Sequence, residues 1–288
     1  MVLERFRSLD LFTKLCSSWL TIMILMAVLG PLLPLVNPRE ADVESMGVGL
    51  FSSGHVFGTD TNGYDVLANI VDGSRLSLLI AVVSVGLGGF LGAALGIVSA
   101  FVRGKFDYVV SLSFNIMLSI PNLVLGLALV AVLATSPDPT QAVSSNRRVV
   151  VVMLSLTIVI IPILGRIARG ATLTWINREF ITAARSMGLK NHQIVLKHVV
   201  PNVLPSIYAI GFLAIGVVIV AEGALSLLGV GITDGVSWGA AIARVSGDFT
   251  YAPHSMYMPV AVLALTVIAC NQIGDYLRAQ LDEREGKI

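Results

Sequence analysis

Few residues in this chain have the type and spacing to do chemistry. Asp60, Asn62, Gly63 and Asp65 place oxygens at short intervals, as a calcium loop does. That pattern requires glycine at its sixth position, where this chain has Asp65. His55 stands near these acids, but an isolated histidine in a turn is usually solvated or structural, so no metal is expected. The four histidines fall on three separate segments, and Cys16 and Cys270 sit alone in apolar segments as small packing residues, so no nucleophile–base pair can be argued. No G-x-x-x-x-G-K-[ST] sequence occurs, so the chain is not expected to hold a nucleotide. The expected chemistry is therefore movement and recognition rather than catalysis.

The elements that must position such residues are set by lipid. The chain has 288 residues, 55% hydrophobic and 13% charged, with mean hydropathy +0.84. Soluble domains carry about 25% charged residues. The apolar runs are continuous rather than alternating, which selects membrane helices over a barrel. Six spans are expected, at 15–36, 76–102, 108–134, 149–165, 203–221 and 256–273. An even number puts both termini on one side. Fourteen of the nineteen Lys and Arg residues then fall on the side of the termini, which makes that side cytoplasmic. Net charge is +1, so nothing favours nucleic acid.

The expected organisation is a cytoplasmic segment 1–14, a first span with its outer loop at 15–75, a five-helix region 76–277 and a cytoplasmic tail 278–288. The first apolar run, preceded by Arg5, Arg7 and Lys14, is read as a retained helix rather than a leader. Outer segments are expected at 37–75, at 136–148 with Pro137 and Pro139, and at 222–255. Gly88, Gly92, Gly96 and Ala100 recur every four residues and predict close helix packing. Pro121 and Pro162 predict kinks. Glu222 interrupts a long apolar stretch. It predicts the end of the fifth span there, followed by a short apolar helix, 224–228, returning into the outer face. Glu222 itself reads either as a cap or ion-pair partner near the interface, or as a gate or substrate contact.

The segment 166–202 is polar and basic between two spans. Its expected parse is helix, turn, helix. In the first helix, 179–187, Phe180, Ala183, Ala184 and Met187 share a side. Gly188 takes the left-handed position that ends it. Asn191 caps a second helix over 192–200, which Pro201 and Pro205 stop. Arg178, Arg185, Lys190 and Lys197 rim the pair. It reads either as an amphipathic pair on anionic lipid or as a docking element for another protein.

The run Ala183-Ala184-Arg185-Ser186-Met187-Gly188, followed by His198, Pro201, Asn202 and Pro205, resembles the EAA loop of binding-protein-dependent ABC importer permeases. The acid that names that motif is replaced here by Thr182. Three further stretches are similar to the dipeptide, oligopeptide and nickel branch of the family. They are His55-Val56-Phe57-Gly58-Thr59-Asp60 with Gly63 and Asp65; Glu222 followed by Ser226–Gly231 and Ser237-Trp238-Gly239; and Asn271 with Gly274-Asp275 and Leu277-Arg278.

The resemblance implies an all-α membrane protein of six helices. It would be a translocation subunit of the bacterial plasma membrane and not itself an enzyme. Its partners would be a homologous second permease, two cytoplasmic ATPases that hold ATP and magnesium, and an extracytoplasmic substrate-binding protein. The implied ATPase-coupling residues are Glu179, Phe180, Thr182, Ala183, Ala184, Arg185, Gly188, His198, Pro201 and Asn202. The implied binding-protein and outer-gate residues are Gly58, Thr59, Asp60, Asp65, Glu222 and Trp238. The cargo would be peptides; nickel, glutathione or haem are the alternatives within the family, and an ion-driven transporter or a membrane anchor outside it.

Overall fold

The computed structural model describes residues 9–52, 54–134, 144–232, 236–247 and 250–285. Arg5, Arg7, Pro137, Pro139 and Lys287 lie outside these. The described chain is helical: α1 (Leu11–Leu29), α2 (Val66–Val102), α3 (Gly104–Ser119), α4 (Asn122–Ala134), α5 (Ser145–Trp175), α6 (Glu179–Ser186), α7 (Asn191–Leu227), α8 (Trp238–Val245) and α9 (Pro253–Glu285). Five helices are long and apolar enough to cross a membrane, and α3 with α4 make a sixth if the bent pair is one span.

Helices α1 and α2 begin where a side chain satisfies the free backbone of the first turn. Asp10 accepts from the Thr13 N–H at the start of α1, and Asp65 from the Ala68 N–H at the start of α2. Gly30 and Pro31 follow the end of α1. The spans therefore start and stop outside the apolar runs that announce them. Helix α2 has 37 residues, about 55 Å of rise, against a bilayer core of about 30 Å. Its first turns carry Asn69, Asp72 and Ser74, and these polar residues hid ten helical positions from a hydropathy reading.

Helices α2, α5 and α7 form the core, around Ile80, Val85, Val152, Leu156, Ile160, Leu164 and Val218. The glycine stripe is what lets α2 and α5 touch. A Cβ on Gly92 would stand 2.3 Å from the Ile161 carbonyl oxygen, and one on Gly96 2.2 Å from that of Gly165. Cys16 and Cys270 pack with Leu20 and Ala269 where α1 meets α9.

Four expectations need correction. The span 108–134 is not one kinked helix: α3 and α4 meet at 94°, because Pro121 favours extended backbone at Ile120, which has ψ 130°. Glu222 does not end the fifth span; α7 continues through it to Leu227, and the expected returning helix 224–228 is its last turn. The short helix at that end is α8 instead. Asn191 is the first residue of α7 rather than its cap; Lys190 precedes it, its N–H held by Gln193 Oε1 at 3.0 Å. Pro201 and Pro205 do not stop that helix, which runs on into the span after a π-helical turn at Val195–Val199.

Candidate functional site

The residues singled out by sequence gather at two opposite ends of α2. At its N-terminal end the chain from Asp42 to Asp65 folds into a compact knot. Gly58 takes φ +72°, where a Cβ would stand 2.3 Å from the Val48 carbonyl oxygen, so only glycine fits. The Thr59 hydroxyl accepts from the Val48 N–H at 3.1 Å and donates to the Ser45 carbonyl. Asp60 Oδ1 accepts from the N–H groups of Asn62 and Tyr64, both at 2.9 Å. Asp65 caps α2 with one oxygen and holds His55 Nδ1 at 2.8 Å with the other. His55 Nε2 lies 3.4 Å from Asp42. The hydrogen bond to Asp65 is the main cause holding the imidazole above its ordinary pKa.

Helix α8 ties this knot to the transmembrane core. Arg244, in its last turn, lies over the Tyr64 ring at 4.4 Å and 3.7 Å from Asp60 Oδ2. At its other end the Ser237 hydroxyl caps it, accepting from the Ala240 N–H. The Trp238 N–H donates to the Ser77 hydroxyl, and its indole N–H to the Ile70 carbonyl, each at 3.0 Å. Gly73 leaves room for that indole: a Cβ there would stand 2.9 Å from the ring. Glu222, 1% exposed, receives the hydroxyls of Ser226 at 3.0 Å and Ser237 at 2.8 Å on Oε1. The Ser237 bond sets it at the start of α8, whereas no ion pair reaches it among the described residues. Its Oε2 has no hydrogen-bond partner there.

The structure thus unites Gly58, Thr59, Asp60, Asp65, Glu222 and Trp238 through one helix. Sequence reasoning missed Ser237 as a cap, Arg244 as the link to Asp60, and His254, whose Nε2 lies 3.0 Å from the Thr59 carbonyl oxygen. A serine just before an apolar helix was a readable signal for the first. The other two partners are distant in sequence and carried none.

At the opposite end α6 rests on a second core of Ala93, Ile97, Ala168, Trp175, Ile181, Ala184, Ile194 and Val199. Its buried face is Ile181 and Ala184; of the residues expected to share a side, Phe180, Ala183 and Met187 face outward and Ala184 is buried. Glu179, Phe180, Thr182, Ala183, Arg185, Met187 and Gly188 are left exposed. Thr182 and Ala183 put short side chains in the middle of that outward face.

Helix α6 is held at both ends. The Leu189 N–H bonds the Ala184 carbonyl, and the Gly188 N–H that of Arg185. Gly188 has φ +81°. This is the left-handed termination expected of it, with Leu189 packed in the same core as Ala184. The Phe180 ring lies 6.2 Å from Trp175 and 6.3 Å from His198, and Arg178 covers Trp175 at 5.6 Å. Asn202 donates its amide to the His198 carbonyl at 2.6 Å. Beside this core Arg169 forks onto both oxygens of Asp107 at 2.6 and 2.7 Å, tying α3 to α5. That pair was also missed, its partners being 62 residues apart.

Residues 92–287 match the family model described as "Binding-protein-dependent transport system inner membrane component". The chain is 32% identical to a dipeptide transport system permease protein, DppC, of Alkalihalophilus pseudofirmus, over 92% of this chain and 83% of that relative. It is 31% identical to a glutathione transport system permease protein, GsiD, of Pectobacterium atrosepticum, over 81% and 74% respectively. Its fold is similar to a chain of the MetNI methionine ABC transporter solved in inward-facing conformations, with TM-score 0.58 and 21% identity, covering 74% of this chain and 96% of that one.

Proposed function

The chain belongs to the family of binding-protein-dependent transport system inner membrane components, and we propose that it forms one half of the pathway of an ATP-driven peptide importer. It is a multi-pass permease of the bacterial plasma membrane. In this reading both termini are cytoplasmic and α6 is the coupling helix, seated in a cleft of a separate ATPase subunit. Two such ATPases hold ATP and magnesium, a homologous permease completes the pathway, and a binding protein delivers cargo to the 37–75 loop and to 222–255. Cargo is a dipeptide or short oligopeptide. The names of the relatives support that class, and within it glutathione, itself a peptide, is the nearest rival.

The observation that carries the reading is the mount of α6. A helix lying on lipid would turn its apolar face outward. This one buries Ile181 and Ala184 against the helical core and turns outward a mixed face of Glu179, Phe180, Arg185 and Met187 around the short Thr182 and Ala183. Such a face fits a protein cleft, and its rigid seat lets a push on it reach α5 and α7. Alternating access then follows: closure of the ATPases moves α6, and the attached spans tilt.

The test is gentle solubilisation of the tagged chain and identification of what accompanies it, followed by uptake of radiolabelled dialanine into vesicles. The expected result is recovery of a second permease and P-loop ATPases, with uptake driven by ATP in the absence of an ion gradient. Recovery of this chain alone, with uptake driven by a gradient, would overturn the reading in favour of a secondary transporter.

A further inference from the structure

The π-helical turn at Val195–Val199 lies between the mount of α6 and the membrane-spanning part of α7. Its position follows from Pro201. In an α-helix the residue at 201 would donate to the Lys197 carbonyl; proline has no N–H, and its ring crowds that carbonyl. The wider turn just before it, closed by the Val200 N–H on the Val195 carbonyl, carries the helix past the proline. Asn202 completes the passage by donating its side-chain amide to the His198 carbonyl. A π turn holds one residue more than the α ladder needs, so it can be absorbed or displaced without breaking the helix.

Three neighbours give this turn mechanical meaning. On one side the His198 ring meets Phe180 of α6 at 6.3 Å. On the core side Ile194 and Val199 are fully buried with Ile181 and Ala184, so α6 and the foot of α7 share one packed core. On the remaining side Val195, Leu196, Val200 and Leu204 line a groove of about 620 Å³ whose other wall is α2 from Val82 to Val98. A displaced π turn has room to move there, and any shift changes the width of that groove.

We propose that the π turn, with the Phe180–His198 contact on it and the Asn202 amide clamp inside it, is the joint through which displacement of α6 is delivered to α7. His198 and Asn202 are positioning residues in this device: neither touches cargo or nucleotide. The inference rests on α6 being the coupling helix.

The test uses the whole transporter reconstituted in vesicles, with radiolabelled dialanine as cargo. The number of peptides taken up per ATP hydrolysed is compared for the unaltered complex, Asn202→Ala and Phe180→Ala. A merely structural role would lower uptake and hydrolysis together and leave that ratio alone. The joint predicts that the ratio falls by about tenfold in either variant, within the range of single-residue coupling energies. If Asn202→Ala does not assemble, Asn202→Asp, which keeps the shape and turns the donor into an acceptor, is read in its place with the same expected fall. An unchanged ratio in the assembled variants would overturn the joint. Absence of ATP-driven uptake in the unaltered complex would instead count against the proposed function, so the two failures are distinguishable.

Discussion

The Ser237 hydroxyl donates to Glu222 Oε1 at 2.8 Å while accepting from the Ala240 N–H at 3.0 Å. One hydroxyl therefore caps α8 and fastens it to α7. A carboxyl buried among apolar helices is costly unless it is hydrogen-bonded, and here Ser226 and Ser237 both relieve that cost, while Ser237 also fixes where α8 sits. The small contact surface of an eight-residue helix is thereby enough to hold it beneath the 37–65 knot.

Replacing Ser237 with alanine removes a cap and a donor to Glu222 at once. The expected loss is about 2 kcal/mol, from an N-cap of about 1 kcal/mol and an under-satisfied buried acceptor of similar size. Thermal unfolding of the solubilised protein measures it. Ser237→Thr keeps the hydroxyl and is expected to recover most of the loss. A melting temperature in Ser237→Ala equal to that of the unaltered chain would show that Trp238 and Arg244 hold α8 without the serine.

The contact between α2 and α5 leaves no room at its centre. Gly92→Leu would drive a side chain into the Ile161 carbonyl, where even a Cβ stands at 2.3 Å. Separation of the helices should cost about 1–3 kcal/mol or more. Gly170, on the same α5 helix, has nothing within 4 Å of a Cβ. Gly170→Ala should therefore be neutral or stabilising by up to about 1 kcal/mol through helix propensity. Equal melting temperatures for Gly92→Leu and Gly170→Ala would contradict the packing argument.

The glycine stripe, the five long helices and the left-handed Gly188 were legible because each is a local pattern: spacing, apolar length, or a glycine after a helical run. The ends of the helices were not, because capping by Asp10 and Asp65 extends α1 and α2 past their apolar runs. Pro121 was legible as a disturbance, but not the size of the bend, and the tie of α3 to α5 by Asp107 and Arg169 is a pairing that no local pattern announces. Which side of α6 is buried was not legible for the same reason. Ile181 is chosen over Phe180 by the shape of the seat made by Trp175, Ile194 and Val199, which belong to other helices. At the 42–65 knot, the motif residues were visible individually, whereas their assembly depends on Arg244 and Ser237 of α8.

Gly188 offers a test of backbone geometry without steric interference. Its φ of +81° strains any L side chain, yet nothing stands within 4 Å of where a Cβ would be. Gly188→Val should therefore cost about 1–2 kcal/mol, all of it conformational, and loosen the end of α6. Membrane insertion should be normal, with transport-coupled ATP hydrolysis lost in the reconstituted complex. Gly188→Asn, which tolerates the left-handed region better, should retain more coupling. Full coupling in the valine variant would remove the need for a fixed α6.

His55 gives the knot a pH dependence whose sign can be worked out. Its pKa is raised, chiefly by the hydrogen bond to Asp65, with Asp42 adding to it. A group raised on folding contributes stability that is complete below its unfolded value of about 6.5 and is lost as pH rises through the folded value. Asp42 is depressed, first by its hydrogen bond with Ser45, so its share is lost only when pH falls through that lowered value. The knot is therefore tightest in the acidic range between the two and loosens toward alkaline pH. Hydrogen exchange of the backbone amides of Thr59, Val66 and Asn69, all bonded within the knot, should show protection falling from about pH 6 to about pH 9 after correction for intrinsic rates. In His55→Gln, which cannot ionise, protection should be weaker at the acidic end and nearly flat across the range. A pH profile in His55→Gln that matches the unaltered protein would assign the dependence to another group.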